Sequence, residues 1–169
     1  MSLIKRTIKK VYGFTLIEVI TILFIVSLAL VGVLSLVVQS LNSQSYNKNN
    51  LVAYQLAQEG VELIRHVRDS NWRANQTWNN NLGEGVYYMD YLDSAPHPLS
   101  SASQSILKID GNGFYFHDPS GLATSSGFSR TLKITALSAN DLYLRVNIAW
   151  LDHGRNYSYD LDTSLYDWK

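Results

Sequence analysis

The sequence predicts an α+β fold in which one long N-terminal α-helix packs against a C-terminal antiparallel β-sheet. Three observations support this. Residues 20–38 are almost wholly aliphatic, residues 53–67 carry an apolar stripe at three- and four-residue steps, and apolar residues alternate from residue 105 onward. These patterns are typical of a membrane-spanning helix, an amphipathic helix and half-buried strands, in that order.

The apolar run is long enough to cross a bilayer, which takes about 20 helical residues. Residues 19–47 contain no charged side chain, and in lipid a helix satisfies its own backbone hydrogen bonds. We therefore predict a transmembrane helix over residues 14–38 and its amphipathic continuation over residues 39–69. Residues 39–50 are polar and rich in poor helix formers, so we expect the helix to fray there.

The charges around this run are unevenly placed. Four basic residues, Lys5, Arg6, Lys9 and Lys10, precede the run with no acid among them, which predicts that this end stays in the cytoplasm. Glu18 lies just inside the apolar segment. A buried carboxylate costs about 2.5–3.5 kcal/mol near mid-bilayer and less near the interface, so it usually has a partner. The segment offers none.

Residues 9–19, with the sequence Lys-Lys-Val-Tyr-Gly-Phe-Thr-Leu-Ile-Glu-Val, resemble the class III signal of type IV pilins and pseudopilins. The resemblance implies that residues 1–13 are a leader, which prepilin peptidase removes by cutting between Gly13 and Phe14. It also implies N-methylation of Phe14. Glu18 would then pair with the N-terminal ammonium of a neighbouring subunit, a strong attraction in a low dielectric.

The same resemblance implies partners and a location. The partners would be other pilin subunits, prepilin peptidase, an inner-membrane assembly platform and the membrane itself. Before assembly the protein would cross the cytoplasmic membrane once, with its N-terminus in the cytoplasm and its C-terminal domain outside. Residues 14–38 would afterwards form the core of an extracellular or periplasmic filament.

A Sec signal peptide or a plain signal anchor is the alternative interpretation of this segment. A Sec peptide is cut after its apolar region at a small-residue site, which Ser40, Ser43 and Ser45 imitate weakly. The apolar run is longer than the usual core of such a peptide. A plain anchor would not need Glu18.

Composition excludes several functional classes. Formal net charge is zero, and removing residues 1–13 takes away four of the 14 Lys and Arg residues but none of the 14 acids, which leaves an acidic protein. We therefore do not expect nucleic acid as a partner. The chain has no cysteine, so it has neither a disulfide nor a thiolate metal site.

The amphipathic half of the helix should bury one stripe against the rest of the domain. Gly60 lies within that stripe and suggests that another element approaches closely, and Arg65 and Asp69 have the spacing of a weak ion pair. Residues 70–104 form an aromatic connector with a short strand expected near residues 86–91. The stripe consists of Ala53, Leu56, Ala57, Gly60, Leu63, Ile64 and Val67.

The remaining residues, 105–169, predict the antiparallel sheet. Residues 106–109 and 114–116 flank Asp-Gly-Asn-Gly, a hairpin turn. Three longer strands, over residues 128–137, 141–151 and 155–165, are joined by short turns into a meander, and one apolar face should cover the helix stripe. On the first of these strands that face should carry Leu132, Ile134 and Ala136. A long helix followed by a meander resembles the pilin fold.

The sequence offers few candidates for chemistry. The four histidines lack the spacing of metal ligands, and a surface or structural role is the simpler interpretation. Asp110, Asn112 and Asp118 could bind calcium, although turn chemistry explains the acid and amide beside glycine. Five rings in the connector form either a binding surface or, as we favour, packing that holds the connector in place. The histidines are His66, His97, His117 and His153, and the rings are Trp72, Trp78, Tyr87, Tyr88 and Tyr91.

These observations predict a structural subunit of a type IV pilus, either a major or a minor pilin, with no cofactor, no metal and no enzymatic activity. A pseudopilin of a type II secretion system is an alternative, because both classes share the signal and the helix. A minor pilin at a filament tip that binds DNA or a surface is another. A signal-anchored enzyme would require an uncleaved leader and a catalytic motif, and no such motif is recognisable.

Overall fold

We analysed a computed structural model, which describes residues 13–117 and 124–168. The chain divides into two units, Met1–Gln44 and Ser45–Lys169. Within the described residues one α-helix, α1 (Leu16–Arg73), precedes a seven-stranded sheet. The strands are β1 (Gly85–Tyr88), β2 (His97–Pro98), β3 (Ile106–Ile109), β4 (Tyr115–His117), β5 (Thr124–Ser138), β6 (Asp141–Asp152) and β7 (Arg155–Tyr166).

The long N-terminal helix predicted from the sequence is confirmed. It runs to Arg73, four residues past the predicted end. The fraying expected over residues 39–50 is wrong, since α1 is continuous there. Contacts within the second unit explain part of this: the Ser45 hydroxyl donates to Asp152 Oδ1 at 3.0 Å, and the ring of Tyr46 lies 5.0 Å from that of Tyr157.

Strand β5 is the centre of the sheet. Along one edge it pairs with β6 from Phe128 to Ser138, and β6 pairs along its whole length with β7. The other edge of β5 pairs with two strands, β3 along its N-terminal part and β1 along its C-terminal part. All of these pairings are antiparallel, so the predicted meander and the hairpin of β3 and β4 are confirmed.

The turns follow the residues that the sequence offers. Between β6 and β7, His153 and Gly154 both have positive φ, at 48° and 76°, which matches the two-residue hairpin turn whose twist suits antiparallel strands. Near the start of β5, Gly127 has a φ of 81° where the pairing of β3 with β5 shifts register. Only a residue without a Cβ tolerates this conformation readily.

The core lies between the second half of α1 and one face of the sheet. Alternate residues of β5 and β6 are buried, but the predicted third member on β5, Ala136, is exposed. The close approach predicted at Gly60 is confirmed, because a Cβ built there would lie 2.9 Å from Val146 Cγ1. The predicted pair of Arg65 with Asp69 is wrong, since Arg65 instead contacts Glu62 at 2.7 Å. Fully buried members of the core include Ala53, Ala57, Ile64, Leu132, Ile134, Leu144, Val146 and Ile148.

Candidate functional site

The start of α1 carries the predicted processing and assembly residues. Gly13 and Phe14 lie before the helix, and the Phe14 ring is exposed, at 76% of its full area. Thr15 caps the helix: its hydroxyl oxygen accepts a hydrogen bond from the backbone N–H of Glu18 at 3.3 Å, and its carbonyl accepts from Val19 at 3.2 Å. This cap satisfies one of the four N–H groups left free at a helix N-terminus.

The cap was missed in the sequence, although Thr15 and Glu18 have the three-residue spacing of a capping box. The cap at Thr15 places the Glu18 carboxylate in the first turn of α1, where the positive end of the helix dipole favours a negative charge. Within the described residues no basic group lies at ion-pair distance from Glu18.

The apolar run that follows is exposed along its length. Among the described residues α1 is the one helix long and apolar enough to cross a membrane, and none of its most apolar stretch is buried. Its hydroxyl groups are satisfied internally: Thr21 donates to the carbonyl of Ile17 at 2.7 Å, and Ser35 donates to that of Val31 at 3.0 Å. Such bonds remove the cost of taking a hydroxyl into lipid.

The basic residues predicted in the leader, Lys5, Arg6, Lys9 and Lys10, lie outside the described residues. Gly32 lies inside α1 with no atom within 4 Å of a Cβ built on it, and the helix continues through it.

A buried guanidinium, which was not predicted from the sequence, links three parts of the second unit: β5, α1 and the connector after β1. Arg130 on β5 is fully buried. Its Nη1 lies 3.1 Å from Glu59 Oε1 of α1, and its Nη2 donates to the carbonyl of Met89 at 2.8 Å. Nη2 also lies 3.5 Å from Asp90 Oδ1. A buried charge is tolerated only when it is paired and hydrogen-bonded in this way.

Asp90 extends this cluster to β4. Its Oδ1 lies 2.6 Å from His117 Nδ1, and its Oδ2 accepts a hydrogen bond from the His117 backbone N–H at 2.8 Å. The His117 ring is buried, and among the described residues its Nε2 has no hydrogen-bond partner. The arrangement ties the connector after β1 to the hairpin of β3 and β4, which is a structural role.

The other candidates for metal or acid–base chemistry do not converge. No group of three or more His, Asp or Glu side chains within residues 13–117 and 124–168 is arranged to hold a metal ion. Asp110 Oδ1 accepts from the backbone N–H groups of Asn112 and Phe114, both at 2.8 Å, and the bond from Phe114 chiefly holds the pKa of Asp110 below its usual value. That is turn chemistry. Asp118 lies outside the described residues.

The remaining histidines lie apart from one another. His66 is exposed on α1, seven residues before the end of the helix at Arg73. His97 Nε2 lies 3.3 Å from Asp93, and His153 Nδ1 lies 2.9 Å from Asp152.

Most of the aromatic connector is packing. Trp78 is buried, and the Trp72 ring lies edge-on to Trp168 at 4.7 Å between ring centres. Tyr88 lies between two histidine rings, at 5.3 and 5.2 Å. Tyr91 differs from the other rings, because 52% of it is exposed.

Comparisons with known proteins add no relative. No family model, no curated protein and no solved structure matches this chain.

Proposed function

We propose that this protein is a structural subunit of a filament of the type IV pilin class, either a major or a minor pilin. The observation that carries the proposal is the start of α1. A carboxylate lies in the first turn of a capped helix, without an ion-pair partner among the described residues, at the head of an exposed apolar run. A filament would bury that run and supply the missing charge.

The mechanism follows from electrostatics. Cleavage between Gly13 and Phe14 would create a new ammonium group at Phe14. In the low dielectric of a helix bundle, this group on one subunit would attract Glu18 on the next far more strongly than in water. An unpaired carboxylate there is costly. The pair would therefore fix how far one helix is displaced along its neighbour.

Substitution of Glu18 tests the assembly step. Glu18→Gln keeps the size of the side chain and removes its charge, so we expect normal cleavage and a strongly reduced yield of sheared surface filaments. Glu84→Gln is the matched control, because Glu84 is an exposed acid in the connector and should leave the yield unchanged. Filaments at the normal yield from Glu18→Gln would disprove the pairing.

The processing step is tested separately by the mass of the chain. We expect N-methylated Phe14 at the N-terminus of the protein in native membranes and filaments. Gly13→Leu should abolish cleavage and leave a precursor heavier by residues 1–13. An intact Met1 in the wild type, or a terminus after residue 38, would contradict the assignment.

A minor pilin at a filament tip is the second candidate, and one observation favours it. Tyr91, Leu92 and Phe114 are exposed together with more than half of each side chain accessible, which is typical of a contact surface. Abundance separates the candidates, since a major subunit dominates sheared filaments and a tip subunit is scarce. A filament that never leaves the periplasm would instead indicate the pseudopilin.

A further inference from the structure

A small cleft between α1 and the hairpin of β3 and β4 has the form of a ligand site. Four residues line it: Glu59, Tyr91, Phe114 and Tyr115. Its volume is about 390 Å³, which lies within the range of small-molecule sites. All four residues belong to the second unit, so the cleft does not depend on the apolar run or on filament assembly.

Contacts within the protein order Tyr115 and the backbone of Phe114, while the rings of Tyr91 and Phe114 remain more than half exposed. Tyr91 and Phe114 lie 6.2 Å apart between ring centres, with their planes inclined by 41°. Tyr115 packs edge-on against Phe128 at 6.2 Å, which fixes the inner wall. The backbone N–H of Phe114 donates to Asp110, and its carbonyl accepts from the Asp110 N–H at 3.1 Å. Preorganised walls reduce the entropy cost of binding.

Glu59 places a carboxylate in the lining of the cleft. The Glu59 side chain is 37% exposed, while the Arg130 that it contacts is fully buried behind it. Arg130 also faces Asp90 at 3.5 Å. Two carboxylates therefore share one guanidinium, and this group carries one formal negative charge when His117 is neutral.

We propose that this cleft binds an organic cation with a quaternary ammonium head group. Aromatic faces attract such cations, and the attraction increases as the cation loses water. The Glu59 carboxylate supplies the opposite charge at the edge of the cleft. A quaternary ammonium needs no hydrogen-bond acceptor, so it suits a cleft in which three of the four lining residues are aromatic.

The test is a titration of the full chain in maltoside micelles, which contain no choline head group. The probes are choline chloride and dimethylbutanol, its neutral isostere with carbon in place of nitrogen. We expect saturable choline binding, followed by chemical shifts of the Tyr and Phe rings, about tenfold tighter than binding of the isostere. Equal affinities would overturn the proposal, because burial of apolar surface alone would then explain binding.

Variants locate the site. Phe114→Ala should weaken choline binding about tenfold, and its exposed ring, at 60% of its area, can be removed without opening the core. Tyr166→Ala on β7 is the control, since Tyr166 is similarly exposed at 54% and does not line the cleft. Absence of saturable binding to the wild type, or equal losses in both variants, would refute the cleft as the site.

Discussion

Replacing Arg130 by methionine should strongly destabilise the second unit. Methionine fills much of the same space, but it leaves the Glu59 and Asp90 carboxylates without the guanidinium that lies 3.1 and 3.5 Å from them. It also removes the hydrogen bond to the Met89 carbonyl at 2.8 Å. Breaking a buried ion pair from one side costs about 3–5 kcal/mol. For a domain of this size, that corresponds to a fall in Tm of about 12–20 °C.

The assay is thermal and urea unfolding of the full chain in micelles, followed by the fluorescence of the buried Trp78 and Trp150. Arg145→Met is the matched control. Arg145 makes two hydrogen bonds to Asp162, at 2.8 and 2.9 Å, but both side chains are largely exposed. Exposed ion pairs add little to stability, so the control should barely change Tm.

A second substitution separates charge from packing. Glu59→Gln combined with Arg130→Met removes one stranded carboxylate, while Asp90 keeps its contact with His117 at 2.6 Å. The double variant should recover at least about 1 kcal/mol relative to Arg130→Met alone. A loss in Arg130→Met no larger than in Arg145→Met, or no recovery in the double variant, would refute the view that Arg130 balances these carboxylates.

Three further predictions follow from local geometry. Gly60→Ala should destabilise the second unit by about 1–3 kcal/mol in urea unfolding, because its Cβ would meet the sheet, whereas Gly32→Ala meets no atom and should not. The pKa of Asp110 is lowered in the folded protein, chiefly by the hydrogen bond from the Phe114 N–H. The charged Asp110 carboxylate therefore stabilises the turn above the pKa that Asp110 has in the unfolded chain. This stabilisation is lost as pH falls through the pKa of Asp110 in the folded protein. The protection factor of the Phe114 amide, which compares its exchange rate with the intrinsic rate at the same pH, should fall over that range, and an unchanged protection factor would contradict the prediction. Thr15→Ala should cost about 1 kcal/mol of helix stability at the first turn, measured as faster exchange of the first-turn amides and refuted by equal rates.

Periodicity predicted the helix and the strands because each face of these elements lies in a single environment. The stripe on α1 and the alternation along β6 each face one core, so most of the residues that the pattern selected are buried, although Leu63 is only half-buried and the buried Val61 was not selected. The β5 pattern extended too far, since Ala136 is exposed next to an irregularity in the pairing of β5 with β6, between Ala136 and Ser138. Residues 39–50 misled the prediction because helix propensity is a weak prior beside the contacts of Ser45 and Tyr46.

The sequence could have predicted that Arg130 is buried, but not which residues it contacts. Period two places Arg130 on the same face as Leu132 and Ile134, which marks it as a charge directed into the core. Its partners could not be predicted, since Glu59 is 71 positions away and Asp90 lies in the connector. Which loop residue meets a buried charge depends on the path of the chain, and no local pattern encodes that path.

The sharing of β5 between its neighbours has a consequence for how the chain folds while it is being synthesised. The helix stripe is made first, but the strands that cover it come much later in the chain; Arg130 and the Leu56 carbonyl that it contacts are 74 positions apart. Contacts between residues so far apart in sequence form slowly, because the entropy cost of closing a long loop comes before the contacts can stabilise the chain. A nascent chain that has emerged only as far as the connector therefore presents an uncovered apolar stripe, and it stays prone to aggregation until β5 and β6 have paired.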